Sequence, residues 1–346
     1  MDDPEPVDDP EQVDDPEPHE PGPAVGASPS ATLARRLATD VTSAVARVVV
    51  GSEELVHDCL AAALAGGHVL LEGPPGLAKT LLVRSLAQVV GGDFARIQFT
   101  PDLMPADVSG TSVFHPGEGD FRFRAGPIFG NVVLCDEINR APAKTQSALL
   151  EAMQERCVTV DGQTTALPRP FTVFATMNPI EHEGTYPLPE AQLDRFLFKL
   201  LVDYPAEEVE RELLRVAHAR RPGASPAELG LAPVTTLDEL RASMQAVDEV
   251  AVRDDLCDYV VRLLRATRED PSLAFGASPR AGVMLLRAAK AVALLAGRDY
   301  VTPDDLKRIV PAALRHRVGL DPAEEIEGVR PDDVLRRILD SVEVPR

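Results

Sequence analysis

Leu33, Leu37, Val41, Val45 and Val48 recur three or four residues apart, which predicts an amphipathic helix where the globular sequence begins. A second helix is expected over Glu53–Leu64, stopped by Gly66-Gly67. His68–Glu72 then reads as a short buried strand and Leu81–Val90 as a helix. Further apolar strands are expected at Ala95–Phe99, Asn131–Cys135, Phe171–Thr176 and Phe196–Val202, with helical patterns between several of them, notably Pro142–Glu155. Strands alternating with helices indicate an α/β fold built on a largely parallel sheet.

After Tyr204 the pattern becomes helical only. Pro205–Arg220 opens with a proline suited to a first turn. Ser278-Pro279 begins a helix that Gly297 ends, Thr302-Pro303-Asp304-Asp305 begins another, and Pro331-Asp332-Asp333 a last one. A Ser or Thr cap, Pro at the first position and acids in the first turn all favour a helix N-terminus. The expected organisation is an acidic tail over 1–30, an α/β core over 31–204 and a helical domain over 205–346.

Composition narrows the function classes. Of the formal net charge of −20, half lies in residues 1–30, which hold ten acids and no Lys or Arg. That segment repeats the unit DDPExV at Asp2–Val7 and Asp8–Val13, with a third copy, Asp14–His19, ending in His. Its charge and proline content leave too little to bury, so it is expected to be a disordered tail, a docking arm for a basic partner being the alternative. Neither the tail nor the rest offers the basic surface that nucleic acid requires. No apolar run approaches the ~20 residues that cross a bilayer, and no basic start precedes an apolar stretch. The chain therefore reads as cytoplasmic, without membrane insertion. Cys59, Cys135, Cys157 and Cys257 stand far apart, which argues against a zinc site or a disulfide framework.

The candidate chemistry lies in two places. His68–Thr80 runs strand, glycine-rich turn, helix, the context in which Gly73, Pro74, Pro75, Gly76, Leu77, Ala78, Lys79, Thr80 and Leu81 can form a phosphate loop. Backbone N–H groups and the helix N-terminus would face the phosphates. Lys79 would reach the β- and γ-phosphates, and the Thr80 hydroxyl would bind Mg²⁺. Ala78 stands where the loop pattern has Gly, a substitution tolerable if the residue already has helical dihedrals. Downstream, Asn131–Cys135 leads into Asp136-Glu137. Asp136 would hold Mg²⁺ and Glu137 would polarise the attacking water. No NKxD-like element is present, so ATP is preferred over GTP.

These motifs extend into long runs that carry a resemblance. Cys135–Pro142, Lys144–Arg156, Ala175–Glu181 and Gly184–Phe196, together with the loop, strongly resemble the MoxR family of AAA+ ATPases. The likeness covers roughly residues 32–340. In that family the loop lysine is commonly preceded by Ala, as here. The resemblance implies a P-loop NTPase core followed by an all-α lid domain. It also implies that Asn178 is the sensor-1 amide, that Arg195 is a finger reaching a neighbouring subunit's ATP, and that Arg280 is sensor 2. The segment 107–129, with Gly117-Glu118-Gly119 between Val113-Phe114 and Phe121–Phe123, looks like a hairpin inserted into helix 2. Val158–Val160 and Thr164–Leu167, joined by Asp161-Gly162, look like the hairpin before sensor 1.

The expected activity is ATP hydrolysis in a homo-oligomeric ring, hexameric by resemblance, that remodels or activates other proteins. Family members commonly act with von Willebrand factor A domain partners. Two alternatives stay open: a nucleotide-gated interaction module with little hydrolysis, and a magnesium-chelatase-like or DNA-acting motor.

Overall fold

A computed structural model of the chain describes residues 28–117, 119–179, 185–218 and 223–345. The acidic repeats, Glu118 of the first hairpin, the stretch from Ile180 to Gly184, and the end of the helix expected to reach Arg220 lie outside the described residues. Pro29 and Ser30, placed by sequence in the acidic segment, instead stand in the first turn of a helix, where the Ser28 hydroxyl caps Ala31 N at 3.2 Å.

The first half of the chain runs α1 (Pro29–Ala46), α2 (Glu53–Leu64), β1 (Val69–Glu72), α3 (Lys79–Val90), β2 (Phe94–Gln98), α4 (Pro105–Ser109), β3 (Gly110–His115) and β4 (Asp120–Ala125). It continues with β5 (Val132–Asp136), α5 (Ala143–Glu155), β6 (Cys157–Val160), β7 (Gln163–Ala166), β8 (Thr172–Met177), α6 (Glu190–Leu193) and β9 (Phe198–Leu201). Five strands form one sheet in the order β2-β5-β8-β1-β9, and every pairing in it is parallel. β3 pairs with β4, and β6 with β7, as separate antiparallel hairpins.

Alternation along the strands covers both faces of the sheet. Val69, Leu71, Val132, Leu134 and Phe174 pack on one side against α1, α2 and α3. Leu70, Ile97, Val133, Cys135, Val173 and Ala175 pack on the other with Leu149, Leu150 and Met153 of α5. A fully buried Val, Leu or Phe contributes ~1.5–3 kcal/mol, so a sheet buried on both faces is a rigid floor for loops at its edges. Cys135 behaves as a small apolar residue here, and burial pushes its thiol pKa up.

The remaining chain holds α7 (Glu207–His218), α8 (Leu237–Glu249), α9 (Asp254–Glu269), β10 (Leu273–Phe275), α10 (Pro279–Leu295) and α11 (Pro303–Leu314). β11 (Gly319–Leu320), α12 (Pro322–Ile326) and α13 (Pro331–Ser341) follow. The region is helical as expected, with one addition. β10 and β11 form a short antiparallel pair that two- and three-residue runs do not announce in sequence. α1 packs against α8 and α10, so the first helix joins the sheet to the helical region through one continuous apolar cluster.

Candidate active site

All strands of the parallel sheet point the same way, so the loops after β1, β5 and β8 emerge at one edge. That edge collects a cavity of about 460 Å³ lined by Pro75–Leu81, Asp136, Glu137, Thr176, Met177 and Asn178. Its size falls in the range of small-ligand clefts, ~300–1,000 Å³.

The loop after β1 is held tightly. Gly73 N donates to Met177 O at 3.2 Å, and a Cβ on Gly73 would fall 2.1 Å from Val202 O, so no other residue fits. Ala78 corrects the sequence expectation, because its φ of +56° is left-handed rather than right-handed helical. An L-residue there costs ~1–2 kcal/mol relative to right-handed backbone. Lys79 Nζ donates to Gly73 O and, at 3.1 Å, to Pro74 O. Burial pulls its pKa below the usual lysine range, opposed by the charges of Asp136, Glu72 and Glu137.

Thr80 stands in the first turn of α3 and its hydroxyl donates to Asp136 Oδ2 at 3.4 Å. A hydroxyl beside one carboxylate suits Mg²⁺, which takes one or two protein oxygens and completes its shell with phosphate oxygens and water. Among the described residues no cluster of three or more His, Cys, Asp or Glu could cage a metal without such help.

The acidic pair is clamped by neighbours that sequence reading missed. Thr176 Oγ1 donates to Asp136 Oδ1 at 2.6 Å and accepts from Glu137 N at 2.9 Å. That bond supports Glu137 at a left-handed φ of +57°. Arg96 donates to Asp136 Oδ2 through Nε (3.2 Å) and Nη2 (2.7 Å). Gln98 Nε2 donates to Glu137 Oε2 at 3.0 Å, and Arg140 Nη1 to the same oxygen at 2.9 Å. Arg96 and Gln98 alternate with Ala95 and Ile97 on the strand beside Asp136, so period-two reading of β2 could have aimed both at the site. Arg140 stands one short turn beyond Glu137.

The structure separates the remaining two candidates from this cavity. β9 runs parallel to β1 with Val69 opposite Phe198 and Glu72 opposite Leu201. Arg195 precedes β9 while the phosphate loop follows β1, so about four residues of strand at ~3.3 Å each lie between them. Among the described residues Arg195 has no side-chain hydrogen bond or ion pair. Arg280 contacts the residue before Arg195: its Nε lies 3.6 Å from Asp194 Oδ2, while the buried Arg317 donates to Oδ1 of the same carboxylate at 2.7 Å. Arg280 lines a second cavity, not the one that holds Lys79.

The chain matches the model of the ATPase family associated with various cellular activities (AAA) over residues 68–198, and an AAA lid domain over 265–338. It is 49% identical over 311 residues to "Chaperone MoxR1" of Mycobacterium tuberculosis, covering 87% of this chain and 81% of that one. It is 48% identical over 299 residues to the protein YeaC of Bacillus subtilis, covering 86% and 92%. A solved structure of a candidate ATPase from Cytophaga hutchinsonii superposes with a TM-score of 0.84 at 40% identity, covering 92% of this chain and 97% of that chain. A magnesium-chelatase subunit ChlI of Nicotiana tabacum is more distant, at 25% identity over 244 residues, or 69% of this chain and 53% of that one.

Proposed function

The chain belongs to the MoxR family of AAA+ ATPases, and from that premise we propose that it hydrolyses ATP at the cavity around Lys79 and uses the cycle to remodel or activate partner proteins. The observation that carries this reading is the convergence of Lys79, Thr80, Asp136, Glu137 and Asn178 on one cavity. Residues 31–204 form the nucleotide-binding core in this reading and 205–346 the lid.

The loop N–H groups and the α3 N-terminus cradle the phosphates. Lys79 turns from the carbonyls of Gly73 and Pro74 to the β- and γ-phosphates. Thr80 and Asp136 would hold Mg²⁺, which neutralises charge on the phosphate oxygens when bound. Glu137 accepts a proton from the attacking water, and the Asn178 amide orients that water or the γ-phosphate. Gln98 and Arg140 hold Glu137 until the site is assembled. Arg195 stands at the wrong sheet edge to serve its own loop, so it completes a neighbouring subunit's site, with Arg280 alongside. That division of labour requires a homo-oligomer, proposed as a hexameric ring in the cytoplasm. A von Willebrand factor A domain protein is the proposed partner class. No described helix is long and apolar enough to cross a membrane.

Steady phosphate release by wild type against Glu137→Gln tests the reading. The variant is expected to bind ATP normally and to lose ~10²–10⁴ in turnover. If both chains bind ATP and neither releases phosphate, with or without partner, the chain is a nucleotide-gated module instead.

A further inference from the structure

Arginines crowd the second cavity, at the sheet edge opposite the phosphate loop. About 550 Å³ in volume, it is lined by Arg156, Arg169, Arg241, Arg280 and Arg287, with Asp248 as the one lining carboxylate. The existing partners do not neutralise this cluster. Arg156 donates only to backbone carbonyls, those of Phe171 at 3.0 Å and Gly66. Arg241 pairs with Asp238, and Arg287 with Asp248 at 3.2 Å. Arg280 shares Asp194 with the closer Arg317. Among the described residues, Arg169 has no carboxylate partner and is exposed. Burial lowers the Arg156 pKa, and the neighbouring Arg169 and Arg287 charges lower it further. Like charges held this close favour an anion that several guanidiniums can share.

Such an excess of positive charge is unexpected in a chain of formal charge −20. The same chain supplies a matching anion: ten carboxylates and no Lys or Arg within its first 20 residues, carried on the DDPExV repeat. We propose that the arginine cavity is a docking site for this acidic N-terminal segment of the chain itself. The tether allows it. The segment joins α1 at Ser28, and Arg36 of α1 pairs with Glu239, two residues from Arg241 on α8. Eight residues lie between His19 and Ser28, and extended chain spans ~3.3 Å per residue, so the nine Cα steps let even the last repeat reach ~30 Å. Tethering also gives the repeats an effective concentration on the order of millimolar. Carboxylate–guanidinium pairs are charge-assisted and bidentate, and repetition lets the contact tolerate sliding between copies. Docked there, the segment would cover Arg280, which lines the cavity.

The test uses the full-length chain with its ten N-terminal acids replaced by Asn and Gln, which removes the internal competitor. A fluorescein-labelled peptide of residues 1–20 is titrated and followed by anisotropy in low salt, without nucleotide. The amidated chain is expected to bind the peptide at least tenfold more tightly than wild type, whose own segment competes. Arg169→Glu and, separately, Arg241→Gln in the amidated chain are expected to weaken binding at least fivefold each. Both side chains are exposed, so neither substitution threatens the fold. Equal binding by wild type and amidated chain overturns the proposal, as does binding that neither arginine variant weakens. The readout is independent of ATP, so failure of hydrolysis would leave this test unaffected.

Discussion

Arg96 and Asp136 form an ion pair in which Nε and Nη2 both reach Oδ2, the same oxygen that Thr80 approaches. The carboxylate proposed to hold Mg²⁺ is therefore shared with a guanidinium from the neighbouring strand. Arg96 must yield for the metal to bind, and the cost is modest because its side chain is half exposed. Exposed pairs are worth ~0–1 kcal/mol. Arg96→Met is expected to lower the Mg²⁺ concentration that half-saturates turnover by up to about fivefold. A magnesium titration measures it, and an unchanged or raised requirement refutes the competition.

Arg195 and Lys79 lie at opposite ends of adjacent parallel strands, so the cooperation proposed between them would be intermolecular. Arg195→Ala and Lys79→Ala chains are each expected to lose ~10³-fold or more in turnover. Mixing them should restore a clear part of the activity, because a Lys79→Ala chain still carries an intact Arg195 for its neighbour. Mixtures as inactive as their components would sink the shared site.

Ala78 carries a Cβ at φ +56°. Ala78→Gly relieves that strain but adds freedom to the unfolded chain. The net gain is expected to be about 0.5–1 kcal/mol, seen as a higher denaturation midpoint. A lower midpoint would show that the methyl packs more favourably than its backbone is strained.

His68 and His316 are buried and held neutral. The His68 pKa is pushed down to about 3 by burial and by the Arg156 charge, and that of His316 lies well below 6.5 through burial and Arg317. Val173 N donates to His68 Nδ1 at 3.0 Å, so Nε2 carries the proton and donates to Met153 O at 3.2 Å. The unfolded state binds protons near pH 6.5 and the folded state does not. Their stabilisation is therefore complete above about pH 6.5 and declines as pH falls toward the folded values. Denaturant midpoints should drop between pH 7 and 5, and His68→Gln should flatten that slope. A slope unchanged by the substitution would assign the pH dependence to other groups.

Much of this molecule was legible because its signals are local. Alternation and helical spacing located β1, β5, β8 and α5 to within a residue or two. Asp161-Gly162 marked its hairpin, since a two-residue turn depends on its own backbone preferences. The strand–turn–helix around Gly73 and the Asp136-Glu137 pair could be read in the same way, and parallel strands necessarily deliver both to one sheet edge. Arg96 and Gln98 escaped notice because a polar residue on a strand acquires its partner only through register, here Arg96 opposite Leu134 and Gln98 opposite Asp136.

The sequence by itself determined most of the core's elements, their type and the chemical inventory, because dihedral preference, periodicity and capping act over a few residues. Only the tertiary structure decided the order β2-β5-β8-β1-β9, the left-handed backbone of Ala78 and the clamp of Thr176 on the acidic pair. It also decided that Arg280 pairs with Asp194 and lies outside the cavity of Lys79, and that five arginines from distant segments line one cavity. Those outcomes depend on contacts between residues tens to hundreds of positions apart. Their free energies come from packing and register, which no short window of sequence contains.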